Sequence, residues 1–128
     1  MQETLTCAGC GGEWLHHFRI EVYQRVTEDG AGLRCTIDDD GTSKWRRDDM
    51  TNNPSSRRDG VRIILRCELC DAITALTIRQ HKGQTILAKE VMLAFTREEE
   101  DAIEAHWRTR VTGTADTFWS SVNSKHNA

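Results

Sequence analysis

Val61-Arg62-Ile63-Ile64-Leu65-Arg66-Cys67-Glu68-Leu69-Cys70 is the stretch that decides the fold. Val61, Ile63 and Leu65 recur at every second position, the period of a β-strand, and the strand runs straight into a Cys-x-x-Cys knuckle. The same knuckle stands near the start of the chain, as Cys7-Ala8-Gly9-Cys10-Gly11-Gly12, and it too leads into a strand. Two such pairs supply four soft ligands, and the short spacing lets each pair grip one edge of a tetrahedron. The glycines of the first knuckle suit a tight turn that aims backbone amides at the sulfurs. The expectation is one structural zinc ion held by Cys7, Cys10, Cys67 and Cys70 in the layout of a zinc ribbon. A site of four thiolates keeps no position for water, so this ion is expected to stabilise rather than catalyse. A redox Cys-x-x-Cys normally comes singly, beside a βαβ pattern that this chain lacks.

Outward from the knuckles the pattern stays mostly β. From Trp14 onward Phe18, Ile20, Val22 and Val26 alternate with Arg19, Glu21, Tyr23 and Arg25. Glu28-Asp29-Gly30-Ala31-Gly32 is a turn, after which Leu33, Cys35 and Ile37 mark a second strand that hairpins onto the first. Residues from about 38 to 60 hold Asp-Asp-Asp-Gly, Asn-Asn-Pro-Ser-Ser and Arg-Arg-Asp-Gly, with only Trp45 and Met50 as sizeable apolar residues, and are expected to form a long polar loop. Two further β runs, Ile73 to Arg79 and Gln84 to Leu93, flank the turn His81-Lys82-Gly83-Gln84. Thr96-Arg97-Glu98-Glu99 matches a capping box, so a helix begins there and carries Ala102, Ile103, Ala105 and Trp107. Phe118, Trp119 and Val122 suggest a last helical turn, extending the helical segment to about 96–123. The predicted fold is α+β and mostly β: an antiparallel sheet around a four-cysteine zinc ribbon with one C-terminal helix, as a single domain over 1–128.

Composition sets the bounds. A chain of 128 residues supports one domain, and two would each be too small to hold a core. Hydrophobic residues make up 38% and mean hydropathy is −0.60, so the core is thin and a staple matters. No apolar run approaches the ~20 residues that span a membrane, and no membrane contact is expected. Met1-Gln2-Glu3-Thr4-Leu5-Thr6 has no basic region followed by an apolar one, which predicts a cytoplasmic protein with reduced thiols. Five cysteines are an odd number, which argues against a disulfide framework, and Cys35 reads as a small buried hydrophobe. Formal net charge is −3. Between residues 41 and 66, however, Lys44, Arg46, Arg47, Arg57, Arg58, Arg62 and Arg66 outnumber Asp48, Asp49 and Asp59. His81 and His106 have no motif partner. With neither His-Glu-x-x-His nor a phosphate loop nor a nucleophile elbow, a metal-dependent enzyme is the weakest alternative.

The order of Cys7-Ala-Gly-Cys10-Gly-Gly, Asn53-Pro54-Ser55-Ser56-Arg57-Arg58-Asp59-Gly60, Cys67-Glu-Leu-Cys70-Asp71 and Gln80-His81-Lys82-Gly83-Gln84-Thr85 resembles small zinc-ribbon proteins encoded by bacteriophages and prophages. The resemblance covers roughly residues 5 to 90. It implies a phage origin, a host-cell cytoplasm and a zinc-ribbon fold, and lends no catalytic residue. The expected function is a non-catalytic protein-interaction module, an adaptor or inhibitor acting on a partner protein, with Glu98–Asp101, Trp107, Phe118 and Trp119 as candidate contacts. The alternative is a nucleic-acid-binding or transcription-linked regulatory ribbon. It would use Lys44, Arg46, Arg47, Arg57 and Arg58 on phosphates and Trp45 for stacking. The edge strands of a small open sheet leave a homodimer open as well.

Overall fold

A computed structural model describes residues 2–111, with side chains through residue 108. The helical turn expected at Phe118, Trp119 and Val122 lies outside the described residues. The described residues fall into two units that divide between Leu93 and Ala94. The first is a six-stranded antiparallel sheet. Its strands are β1 (Leu15–Arg25), β2 (Gly32–Asp38), β3 (Ser43–Arg47), β4 (Gly60–Cys67), β5 (Ile73–His81) and β6 (Gln84–Val91). Their spatial order is β3-β2-β1-β4-β5-β6, so two three-stranded meanders meet at a central β1–β4 seam. The second unit contains helix α1 (Arg97–Val111), which opens with the predicted box. The Glu99 amide donates to Thr96 Oγ1 at 3.2 Å, and the Thr96 amide donates back to Glu99 Oε1 at 2.8 Å. No helix among the described residues is long and apolar enough to cross a membrane.

Turn chemistry sets the hairpins. Lys82 and Gly83 both take positive φ, 49° and 80°, the two-residue turn whose twist matches antiparallel strands. Between β2 and β3, Gly41 takes φ 82° and its amide donates to the Asp38 carbonyl at 2.9 Å. The Asp40 carboxylate accepts from the Thr42 amide, also at 2.9 Å. Asp38-Asp39-Asp40-Gly41 is therefore a hairpin turn. The strand after it, β3, falls inside the 38–60 segment that sequence reading assigns to a loop. All five residues of β3 are exposed on the sheet edge, so no apolar alternation announces it.

The remaining connection, residues 48–59, is pinned to the sheet. Tyr23 Oη donates to the Thr51 carbonyl at 2.7 Å. The Arg25 guanidinium donates to the carbonyls of Gly30, Ser56 and Arg58. Asn53 turns the chain by accepting from the Ser55 amide at 2.9 Å, and Ser55 Oγ in turn accepts from the Gln80 amide at 2.9 Å. Gly60 is required by close approach: a Cβ there would overlap Asn53 Oδ1 and sit 2.9 Å from Pro54.

Strand register sorts the side chains onto two unlike faces. One face carries Arg19, Glu21 and Tyr23 of β1, Arg34 and Thr36 of β2, Arg62, Ile64 and Arg66 of β4 and Ala75 of β5. All of these are buried. Glu21, fully enclosed, accepts from Arg34 Nη2 at 2.9 Å and Arg62 Nη1 at 3.1 Å, with Arg19 Nε at 3.5 Å. Arg19 also reaches Asp38 at 3.1 Å, and Arg34 reaches Asp49 at 3.1 Å. The opposite face carries Ile20, Val22, Leu33, Cys35, Ile37, Val61, Ile63, Leu65, Leu76 and Ile78, and of these only Cys35 and Leu65, the latter two residues before Cys67, are buried. An alternating strand ordinarily turns its apolar side inward; here the ion-paired side is the enclosed one. Val26, which the sequence pattern counts with this face, lies beyond the end of β1 and is 85% exposed.

Candidate metal centre

The first strands of the two meanders, β1 and β4, lie side by side, and that is what assembles the cysteines. Leu15, at the start of β1, pairs with Cys67, at the end of β4, and the Glu68 amide donates to the Trp14 carbonyl at 2.9 Å. The two knuckles then repeat one hydrogen-bond pattern. The Gly11 amide donates to the Cys7 carbonyl at 3.0 Å and the Asp71 amide to the Cys67 carbonyl at 3.1 Å. The Cys7 amide donates to the Gly12 carbonyl at 2.8 Å and the Cys67 amide to the Ala72 carbonyl at 2.9 Å. Gly11 and Asp71 both hold left-handed backbone, φ 79° and 63°. Glycine meets that demand freely, and aspartate is among the few other residues that tolerate it.

The four sulfurs converge within 4.8 Å of one another. Cys7 Sγ lies 3.6 Å from Cys70 Sγ, and Cys10 Sγ lies 3.6 Å from Cys67 Sγ. Tetrahedral bonds of about 2.3 Å place sulfurs about 3.8 Å apart, so the cage has the size of one metal ion. Each knuckle gives one buried thiol (Cys7, Cys67) and one exposed thiol (Cys10, Cys70). The Gly9 amide points at Cys7 Sγ from 3.2 Å, a donor that favours its thiolate, and the Gly12 amide points at Cys10 Sγ from 3.4 Å. The predicted ligand set is thus brought together in full, and it can hold a metal ion. The fifth cysteine, Cys35, is buried in the middle of β2 and takes no part.

Ionisation follows the same geometry. Burial raises the Cys7 thiol, but amide donors from Cys10 and Gly9, with the Cys70 and Cys67 side chains, outweigh it and hold it at about 6. At Cys70 the Ala72 amide acts to lower the thiol, while Cys10, burial, Cys67 and Cys7 push it up to about 12. Four thiolates cannot crowd into this space without a cation, and a bound metal displaces the protons they retain.

No family model, curated protein or solved structure matches the chain.

The candidate nucleic-acid contacts are not gathered into one basic surface. Lys44, Trp45, Arg46 and Arg47 lie along edge strand β3, where Lys44 and Arg46 share one face and Trp45 and Arg47 the other. Arg57 and Arg58 stand on the 48–59 connection and line an open cavity of about 360 Å³ with Arg25, Glu28, Gln80 and His81. Acids accompany most of these cations. Arg57 reaches Asp29 at 2.7 Å and Glu28 at 3.2 Å, Arg58 reaches Glu28 at 3.4 Å, and Arg46 reaches Asp49 at 3.8 Å. The Arg57 hydrogen bond holds the Asp29 carboxyl below its usual range. The same cavity joins the two distinctive segments around Ser55 and His81, which the Ser55–Gln80 hydrogen bond ties together.

Sequence reading missed the buried ion network. Its signal was present, since Arg19, Glu21, Arg34, Arg62 and Arg66 all occupy the second register of an apolar alternation. Mixed charges there are the mark of pairing across strands.

Proposed function

We propose that the chain is a non-catalytic, zinc-stapled protein-interaction module whose contact surface is the open apolar face of its sheet. The observation that carries this reading is that face itself. Trp45 and Leu87, at its two edges, are 68% and 67% exposed, and the apolar residues between them are mostly half-buried. A contiguous apolar surface of this kind on a small domain favours a protein contact. Zinc is favoured as the ion by the all-thiolate donor set and the tetrahedral spacing. Four protein ligands close its coordination, which supports a structural role. A reducing cytoplasm, in a host cell if the phage resemblance reflects origin, suits four free thiols. An adaptor or inhibitor acting on a partner protein is the form this takes.

Nucleic-acid binding is the second reading, and it draws on Trp45 standing exposed between Lys44 and Arg46. The acids beside Arg46, Arg57 and Arg58 weigh against it. One experiment separates the two. A photo-crosslinking amino acid placed at position 87 should capture protein in the cells that express the chain. Oligonucleotide binding at 50–200 mM salt should stay weak. Tight binding with steep salt dependence, together with no protein crosslink, would replace the protein-contact reading with the nucleic-acid one.

A further inference from the structure

Register fixes one line of side chains across the whole open face. Trp45 pairs with Cys35, Cys35 with Val22, Val22 with Val61, Val61 with Ile78 and Ile78 with Leu87. Every strand contributes one apolar residue to this rung, and the rung runs from one edge of the sheet to the other. The next rung toward the metal adds Ile37, Ile20, Ile63 and Leu76. It ends at Lys89, whose ammonium is held by the Thr6 carbonyl at 3.0 Å. The interior of the face carries no charge, so it offers a charged partner nothing and does not repel a copy of itself.

We propose that the partner of this face is a second copy of the chain, stacked sheet against sheet about a two-fold axis running along the strands. This rests on the protein-contact reading above and names its partner. Such an axis lies over the β1–β4 seam and sends each edge of one sheet over the opposite edge of the other. Val22 then meets the second copy's Val61, and Trp45 meets its Leu87. The most exposed large side chains of the rung thereby cover each other. A third rung on the side away from the metal carries Arg47, Leu33, Gln24, Gln80 and Thr85, with no β4 residue, so six strands at about 4.8 Å spacing and three rungs give each face a footprint of roughly 500 Å², polar along one margin. Two footprints remove about 1,000 Å², the level at which an interface becomes specific. The stacking is the aligned sandwich that twisted sheets adopt, with faces about 10 Å apart.

The test is sedimentation equilibrium on the full-length, metal-loaded chain from 1 to 100 µM, with Trp45→Glu and Leu87→Lys as variants. Both positions are open to solvent, and circular dichroism with metal content confirms that each variant keeps its fold. The wild-type chain should be dimeric in the micromolar range, and each variant alone should dissociate at least 100-fold more readily. Mixing the two variants should restore a dimer, because the carboxylate introduced at position 45 of one copy would face the ammonium introduced at position 87 of the other. A wild-type chain monomeric at 100 µM overturns the proposal, and so does a dimer indifferent to both variants. Failure of the mixture to associate, with the wild type dimeric, overturns the axis along the strands. A monomer that still captures a different protein from position 87 ends this inference and leaves the protein-contact reading standing.

Discussion

Glu21→Gln is the substitution that most directly probes how this sheet is held. The side chain is fully enclosed and keeps its shape in the variant; only the charge is lost. Three guanidiniums converge on it, from Arg34 at 2.9 Å, Arg62 at 3.1 Å and Arg19 at 3.5 Å. Burial lowers the Arg34 pKa, yet the Glu21 hydrogen bond and charge together with Tyr23 outweigh it and hold the guanidinium above its ordinary range. Removing one member of a buried ion pair costs about 3–5 kcal/mol, because the remaining charge stays desolvated. The low end applies here, since Arg34 keeps Asp49 and Arg19 keeps Asp38. About 3 kcal/mol is a large share of the 5–15 kcal/mol that holds a typical domain. With an m-value of about 2 kcal/mol/M, the urea midpoint should fall by about 1.5 M. Urea unfolding of the metal-saturated protein, followed by far-ultraviolet circular dichroism, reads this directly. Glu68→Gln is the control: its carboxylate meets His16 at 3.3 Å on the surface, and the change should shift the midpoint hardly at all. A Glu21→Gln midpoint within about 0.3 M of wild type, at unchanged m-value, would refute the account of the buried face.

Three further outcomes are expected. Cys67→Ser should abolish metal binding and leave an unfolded or aggregated chain, since such sites contribute on the order of 10 kcal/mol at neutral pH. Cys35→Ala should retain the metal, and a soluble Cys67→Ser protein with native circular dichroism would overturn the staple. Tyr23 is the only tyrosine in the chain, so its ionisation can be followed by absorbance without assignment. Burial, with Glu21 adding to it, pushes the phenol up to about 12. Its folded pKa thus exceeds the unfolded value near 10. The stability it contributes is therefore complete below pH 10 and lost as pH rises toward 12, by on the order of 2 kcal/mol. A native-state titration midpoint near 10 would contradict the enclosed environment. Gly60→Ala should cost about 1–3 kcal/mol through overlap with Asn53 and Pro54. Hydrogen exchange should show lost protection at the Ser55 and Gln80 amides, and unaltered protection would mean the connection does not rest on Gly60.

Much of the fold was legible because its signals are local. The two knuckles, the Lys82-Gly83 turn and the Thr96–Glu99 box each need only a few residues in sequence, and each appears where its chemistry places it. The ligand set needed one further step, that strands β1 and β4 end side by side, and the knuckles themselves supply the reason. β3 was not legible, because an edge strand exposed on both faces has no hydrophobic period to read. The segment 48–59 looked like an unstructured connection because it lacks apolar residues; its order comes from Arg25, Asn53 and Ser55 bonding to backbone groups. Six candidate nucleic-acid contacts read as one basic segment, but Arg57 and Arg58 left the strand group once the chain turned at Asp48.

The deeper difficulty was deciding which half of each alternating strand faces inward. Period two says that two faces exist, and habit assigns the apolar one to the interior. In this chain the assignment turns on Arg19, Glu21, Arg34 and Arg62, whose charges are balanced, with Asp38 and Asp49, only when the β2-β1-β4 register places them side by side. That register is a long-range property, invisible to any local window. Its consequence bears on function. With a four-cysteine cluster at one end and an enclosed ion network across one face, Ile20, Val22, Val61, Ile63 and Ile78 are not needed to make that face's core. On the proposed reading, the residues that an apolar alternation assigns to the core of a monomer are the ones that would meet a partner, and the rung from Trp45 to Leu87 is where that reading is tested first.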